Sequence, residues 1–155
     1  MIYFGGVDPG RTGALALIDE NCRFVTVVDW DEPVGLWNKL FCISYWRETK
    51  LVVLEKVHSM PRQGVSSSFK FGTNFGHWQM ALAALGIPHV EITPQRWRKI
   101  LDSSVPTKPE KEDLRQFALR RFPEASEFLS RKGDDGRAEA MVMALYARAI
   151  YVKND

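Results

Sequence analysis

Apolar residues come first in short blocks. Ile2–Val7 closes on Asp8-Pro9-Gly10, a turn tripeptide. Ala14–Ile18 is a second block, ended by Asp19-Glu20-Asn21, and Phe24–Val28 is a third. Such blocks, rich in β-branched residues and tightly connected, predict an antiparallel meander of three strands. The period then lengthens. Pro33 suits a first helical position, and Leu36, Leu40 and Ile43 recur at helical spacing. Leu51–Val57 is a fourth apolar run, interrupted by Glu55-Lys56, and Met60–Ser68 reads as a loop. Phe71, Phe75, Trp78, Leu82 and Leu85 form a helical stripe, so a helix is expected over Ser68–Leu85, stopped by Gly86-Ile87-Pro88. His89–Ile92 reads as a fifth strand, and Thr93-Pro94 opens a short helix to Leu101. Thr107-Lys108-Pro109-Glu110 reads as a capping box leading a helix to Phe122, with Pro123 ending it. Residues 124–133 have no clear pattern. Ala138–Val152 predicts a closing helix, opened by Asp134-Asp135-Gly136.

This order predicts an α/β chain with a mixed five-stranded sheet and helices packed on it. The 155 residues suit one domain, 1–155. A composition 45% hydrophobic and 26% charged excludes a disordered or fibrous chain. No apolar run is long enough to span a membrane, so no membrane partner is expected. The N-terminus has no basic region and does not read as a secretory signal. Cys22 and Cys42 are therefore expected to be reduced core residues of a cytoplasmic protein. The net charge of +2 is too small to define a partner. Its distribution is more informative: residues 94–137 hold eleven basic and eight acidic side chains, whereas residues 1–60 hold six and eight. On charge alone that segment suits either a phosphate-facing surface or an ordinary solvated helical face.

Acidic residues in apolar surroundings mark the candidate chemistry. Asp8 ends a buried-looking strand, Glu55 interrupts another, and Glu139 sits inside an Ala/Met-rich helix. Buried carboxylates are costly unless paired or bound to a cation. Asp135 precedes Glu139 by four positions and shares its helical face, which favours it over Asp134, five positions before, without deciding between them. Either aspartate could also serve as the helix N-cap. Converging carboxylates suit hard cations such as Mg²⁺ or Mn²⁺. His58, His77 and His89 lack ligand spacing and read as structural. Arg62 and Lys70 flank the serine-rich loop, and Trp97 among Arg96, Arg98 and Lys99 is expected to be buried.

In these residues the chain resembles the RuvC family of Holliday junction resolvases, in the ribonuclease H-like superfamily. Gly6-Val7-Asp8-Pro9-Gly10 with Gly13 is similar to the family's opening motif, and Leu54-Glu55-Lys56-Val57 to its second acidic motif. Phe71-Gly72-Thr73-Asn74-Phe75-Gly76 resembles the following glycine pair. Thr93–Lys99 and Lys108-Pro109-Glu110-Lys111 resemble the basic stretch, and Asp134–Ala140 the closing acidic helix. The resemblance covers nearly the whole chain in order. It implies a metal-dependent endonuclease acting on four-way junctions or other branched DNA, forks and flaps included. It implies Asp8, Glu55, Asp135 and Glu139 as ligands of two Mg²⁺ or Mn²⁺ ions per site, and Lys111 beside the scissile phosphate, with Lys108 as substitute. The chain departs from the family in placing its last two carboxylates four apart and ending on Glu. The resemblance further implies a homodimer through the Ser68–Leu85 helix, whose Phe69, Phe71, Phe75 and Trp78 form the expected contact surface around Gly72 and Gly76. The compact ending resembles phage-borne members, which places the protein in the cytoplasm of a bacterial or phage-infected cell.

Two other readings share this fold class. Actin-like and sugar-kinase-like nucleotide-binding domains also open on an Asp-x-Gly strand, but need two such domains around a cleft. A non-catalytic DNA-binding module would have no use for all the carboxylates. Nucleotide binding tests the first, and metal-dependent junction cleavage the second.

Overall fold

The computed structural model describes residues 1–56 and 64–154. Its strands are β1 (Tyr3–Asp8), β2 (Ala14–Asp19), β3 (Phe24–Asp29), β4 (Thr49–Glu55) and β5 (His89–Ile92). Its α-helices are α1 (Pro33–Phe41), α2 (Val65–Ala84), α3 (Pro94–Trp97), α4 (Lys111–Arg121) and α5 (Asp135–Asn154). Tighter helical turns cover Ser44–Glu48, Arg98–Ile100 and Pro123–Leu129. The strands form one sheet in the order β3-β2-β1-β4-β5. β1, β2 and β3 make the expected antiparallel meander, while β4 pairs parallel to both β1 and β5. The parallel pairs follow from helical crossovers, which return the chain to the same end of the sheet.

Strand alternation divides the core. Phe4, Ala14, Ala16, Ile18 and Val53 face the cluster built with Trp97, α4, α5 and the Pro123–Leu129 turn. Val7, Leu15, Leu17, Val52 and Leu54 face the cluster built with Leu36 and Leu40 of α1 and Trp78 and Leu82 of α2. On the first face small residues meet small residues: Gly6 of β1 lies under Ala140, Met143 and Ala144 of α5. A helix can therefore lie almost directly on the central strand. No described helix is long and apolar enough to cross a membrane.

Several boundaries differ from the pattern. The box capping α4 is Glu110 with Asp113, whose Oδ2 accepts the Glu110 N–H at 2.9 Å. The box expected at Thr107–Glu110 fails because a residue preceding proline is driven out of the helical region, and Lys108 precedes Pro109. β4 starts two residues early because Thr49 pairs with Tyr3; Val57 lies outside the described residues. α2 begins at Val65, earlier than Ser68. Cys22 is half-buried and Cys42 is exposed at the end of α1, so Cys42 is not a core residue; both are free thiols.

Candidate functional site

β1 and β4 are parallel neighbours, and each ends in a carboxylate. Val7 pairs with Leu54, so Asp8 and Glu55 emerge side by side at the same edge of the sheet. Side chains alternate along a strand. Gly6 and Val53 face α5, so Asp8 and Glu55, each two residues on, emerge on that face as well. α5 crosses this edge with Asp135 and Glu139 one turn apart. Its first turn rests on the β1–β2 connection, where a Cβ on Gly136 would stand 2.2 Å from the Thr12 carbonyl and 3.0 Å from Asp8 Oδ2. Asp8 is itself fixed by the Gly10 N–H, donated to Oδ1 at 2.9 Å. Glu55, Asp135 and Glu139 are buried.

The carboxylates perturb one another. Burial lifts Glu139 to about 8; Asp8 and Glu55 push the same way, while Arg98 and Lys111 oppose. Burial lifts Glu55 to about 7, reinforced by Asp8 and opposed by a bond from Trp97 and by Arg98. Asp8 is raised by burial, against the Gly10 N–H and Lys111, with Asp135 adding to the rise. Lys111, on the first turn of α4, donates to Asp135 and forms an ion pair with it. That bond, outweighing desolvation, holds its ammonium above the ordinary lysine range. A cation would offset the repulsion among these carboxylates, and an all-oxygen donor set would suit Mg²⁺ or Mn²⁺. Among the described residues no three such side chains converge on one point as metal ligands do, so holding an ion requires them to draw inward.

Asp134 is occupied elsewhere. It accepts the Arg131 backbone N–H and Arg131 Nη2, each at 2.9 Å, and lies 3.5 Å from Arg137 Nη1. Burial pushes its carboxyl up, but the Arg131 bonds and both guanidinium charges hold it below the usual range. Arg137 in turn grips Asp29 at 2.7 and 2.6 Å, tying α5 to the end of β3. Of the two aspartates, Asp135 is the one that meets Lys111 and adds to the charge on Asp8.

The remaining expected residues are placed as follows. Trp97 is fully buried, and its Nε1 donates to Glu55 Oε1 at 3.0 Å. Arg98, Lys99 and Lys108 line a groove of about 640 Å³ whose lining includes none of the four carboxylates. Arg11, Lys70 and Phe69 line a second cleft of about 760 Å³, on the α2 side. His77 stacks on Trp30 at 5.6 Å and lines the second cleft, and His89 Nδ1 lies 3.0 Å from the Ile87 carbonyl. His58 and Arg62 lie outside the described residues. The Trp97–Glu55 bond and the Arg137–Asp29 pair carry no sequence signal, because each joins residues distant along the chain.

The raised carboxyls make a pH prediction. Between an ordinary glutamate value of 4.5 and values of about 7 and 8, the folded chain holds protons that the unfolded chain has released. The metal-free protein therefore loses stability as pH rises through that window. Urea midpoints are expected to fall from pH ~5 to pH ~9, with much of the slope removed in Glu139→Gln. A flat profile would mean that these groups are not buried together.

No family model matches the chain, and no curated protein matches it. Solved structures do, RuvC structures among them. A structure titled Thermus thermophilus RuvC in complex with Holliday junction substrate matches at TM-score 0.62 and 19% identity, over 99% of this chain and 96% of that one. A Thermus thermophilus RuvC structure matches at TM-score 0.58 and 19% identity, over 96% of both chains. The chain has the ribonuclease H-like fold of these RuvC structures, over 96–99% of its length.

Proposed function

We propose that the protein is a metal-dependent endonuclease that cuts branched DNA, four-way junctions among its substrates. The observation that carries this reading is the cluster of Asp8, Glu55, Asp135 and Glu139, with Lys111 in contact, at the carboxyl ends of two adjacent parallel strands. Ligand sites in open α/β sheets lie at such edges. The carboxylates would hold two Mg²⁺ or Mn²⁺ ions, which when bound supply charge stabilisation at a phosphodiester and an acidified water for in-line attack. The protein's own residues do the rest. Lys111, which here donates to Asp135, would be placed to donate to a phosphate oxygen and offset charge developing there. Arg98, Lys99 and Lys108 continue that positive surface along the groove and would follow the DNA backbone. The fold shared with RuvC, which has been solved on a Holliday junction, supports branched DNA as the substrate class.

A two-fold dimer is part of the same proposal, since resolving a junction takes two nicks and this chain supplies one site. Phe75, Trp78 and Leu82 of the stripe turn inward, with Trp78 and Leu82 fully buried, whereas Phe71 is half-buried and lines the second cleft beside Phe69. The other side of α2 presents Val65 at 88% exposure, Phe69 at 76% and Met80 at 69%. Gly72 and Gly76 lie along that side with nothing within 4 Å of where a Cβ would be. Of the four aromatics expected at the contact, Phe69 alone is exposed; the surface is therefore flatter and less aromatic than the sequence suggests.

The test is cleavage of a synthetic four-way junction, with fork, flap and plain duplex as comparators. Nicking of branched forms with Mg²⁺ or Mn²⁺, and none with chelator, is expected. Sedimentation should give twice the 17.7 kDa chain mass on junction DNA. Absence of cleavage with either ion would sink the nuclease reading, and a monomer making single nicks would sink only the dimer.

A further inference from the structure

Trp97 is one of the largest fully buried side chains, and a buried indole N–H calls for an acceptor. It takes a carboxylate 42 residues away, donating Nε1–H to Glu55 Oε1 at 3.0 Å. An indole in this protein can be buried without such a bond: Trp78, equally enclosed, has no partner for Nε1 among the described residues. The backbone fixes the Trp97 arrangement. β5 pairs with β4 so that Ile92 stands opposite Glu55, and the Lys56 N–H donates to the Ile92 carbonyl at 2.8 Å. The chain turns at once into α3, whose last residue is Trp97, with its own N–H on the Thr93 carbonyl at 3.2 Å. The guanidinium of Arg98 lies 5.3 Å from the indole centroid.

Glutamate has a long side chain with free torsions, and burial alone does not choose its rotamer. A directional donor beneath one oxygen does. We propose that Trp97 is a positioning residue: its indole N–H holds Glu55 Oε1 and so orients the carboxylate, leaving Oε2 for the cation. This rests on the metal-dependent reading of the site. Partners that orient a ligand in this way are worth about 10–100-fold in metal affinity or activity. The conserved-shape change is the informative one. Benzothienylalanine at position 97 keeps the bicyclic ring and replaces N–H by sulfur, whereas Trp97→Phe also leaves a cavity that could cost the fold.

The experiment titrates Mn²⁺ into metal-free protein by calorimetry, without DNA, and separately measures kcat and KM on a four-way junction. Wild type, Trp97→Phe and the benzothienylalanine protein are compared, with thermal melts as the fold control. The benzothienylalanine protein is expected to melt like wild type, bind Mn²⁺ about 10–100-fold more weakly, and lose kcat while keeping KM. A role in packing alone would leave Mn²⁺ affinity unchanged. Wild-type affinity in that protein overturns the proposal and leaves the metal site standing. Failure of wild type itself to bind Mn²⁺ overturns the metal reading, and this proposal with it.

Discussion

Glu139→Gln is expected to abolish junction cleavage while leaving junction binding equal or tighter. The substitution keeps shape and removes one charge from a buried cluster in which burial, reinforced by Asp8 and Glu55, pushes Glu139 up to about 8. Cation binding needs the ionised carboxylate, and an amide is a poor ligand for a hard ion. A partner that only orients a ligand is worth about 10–100-fold, so loss of the ligand itself should exceed about a hundredfold in turnover. DNA binding moves the other way, because the lost charge would face phosphate. Folding stability should also rise near pH ~8, where the wild-type carboxylates repel one another. This triple signature separates a ligand from a scaffold residue, whose replacement would cost stability and activity together. Asp8→Asn, Glu55→Gln and Asp135→Asn should abolish cleavage alike, although Asp135→Asn also removes the ion pair with Lys111 and so is not expected to add stability. Asp134→Asn should not: its carboxylate is held by Arg131 and Arg137, so its loss is expected to weaken the fold first. Wild-type cleavage rates in Glu55→Gln or Glu139→Gln would place the chemistry elsewhere.

The sheet is legible in the chain because strand alternation and turn residues are local signals. His89–Ile92 matches its predicted span, and β1 extends one residue beyond the apolar run because Asp8 pairs with Ala14. That extra residue is the candidate ligand, which explains why a carboxylate sits at the end of a buried strand. Glu55 was visible for the same reason, as a charge interrupting an apolar run. The choice between Asp134 and Asp135 was not settled locally, since either suits a helix start. Only Arg131, Arg137 and Lys111, brought in by tertiary structure, separate them. Trp97 was legible as buried, but its acceptor lies across two strands and leaves no periodic trace. The α2 stripe is legible as an apolar face, and Phe75, Trp78, Leu82 and Leu85 pack into the core. What periodicity could not reveal is that the opposite side is apolar too, because Val65, Phe69 and Met80 are separated by polar residues and glycines.

Gly6→Ala is expected to destabilise the protein by more than about 3 kcal/mol, the upper end of ordinary overpacking, because the obstacle is main chain. A Cβ there would stand 2.2 Å from the Ala140 carbonyl oxygen, 2.5 Å from Met143 Cβ and 2.6 Å from the Ala144 nitrogen. None of these can move without lifting α5 from β1. A domain has only about 5–15 kcal/mol in hand, so the loss is a large fraction of its stability. The site should suffer even where the fold survives, because Asp8 follows Gly6 by two residues and Glu139 precedes Ala140. Gly72→Ala is the control. Nothing lies within 4 Å of its added carbon, and alanine in a helix interior is favoured over glycine by about 1 kcal/mol, so the chain should become more stable. If α2 is the dimer contact, the same methyl holds two helices apart and weakens the dimer. Urea unfolding and sedimentation of the two variants therefore read opposite ends of the fold. Wild-type stability in Gly6→Ala would mean that α5 does not lie on β1, and the carboxylates it carries would no longer meet those of the strands.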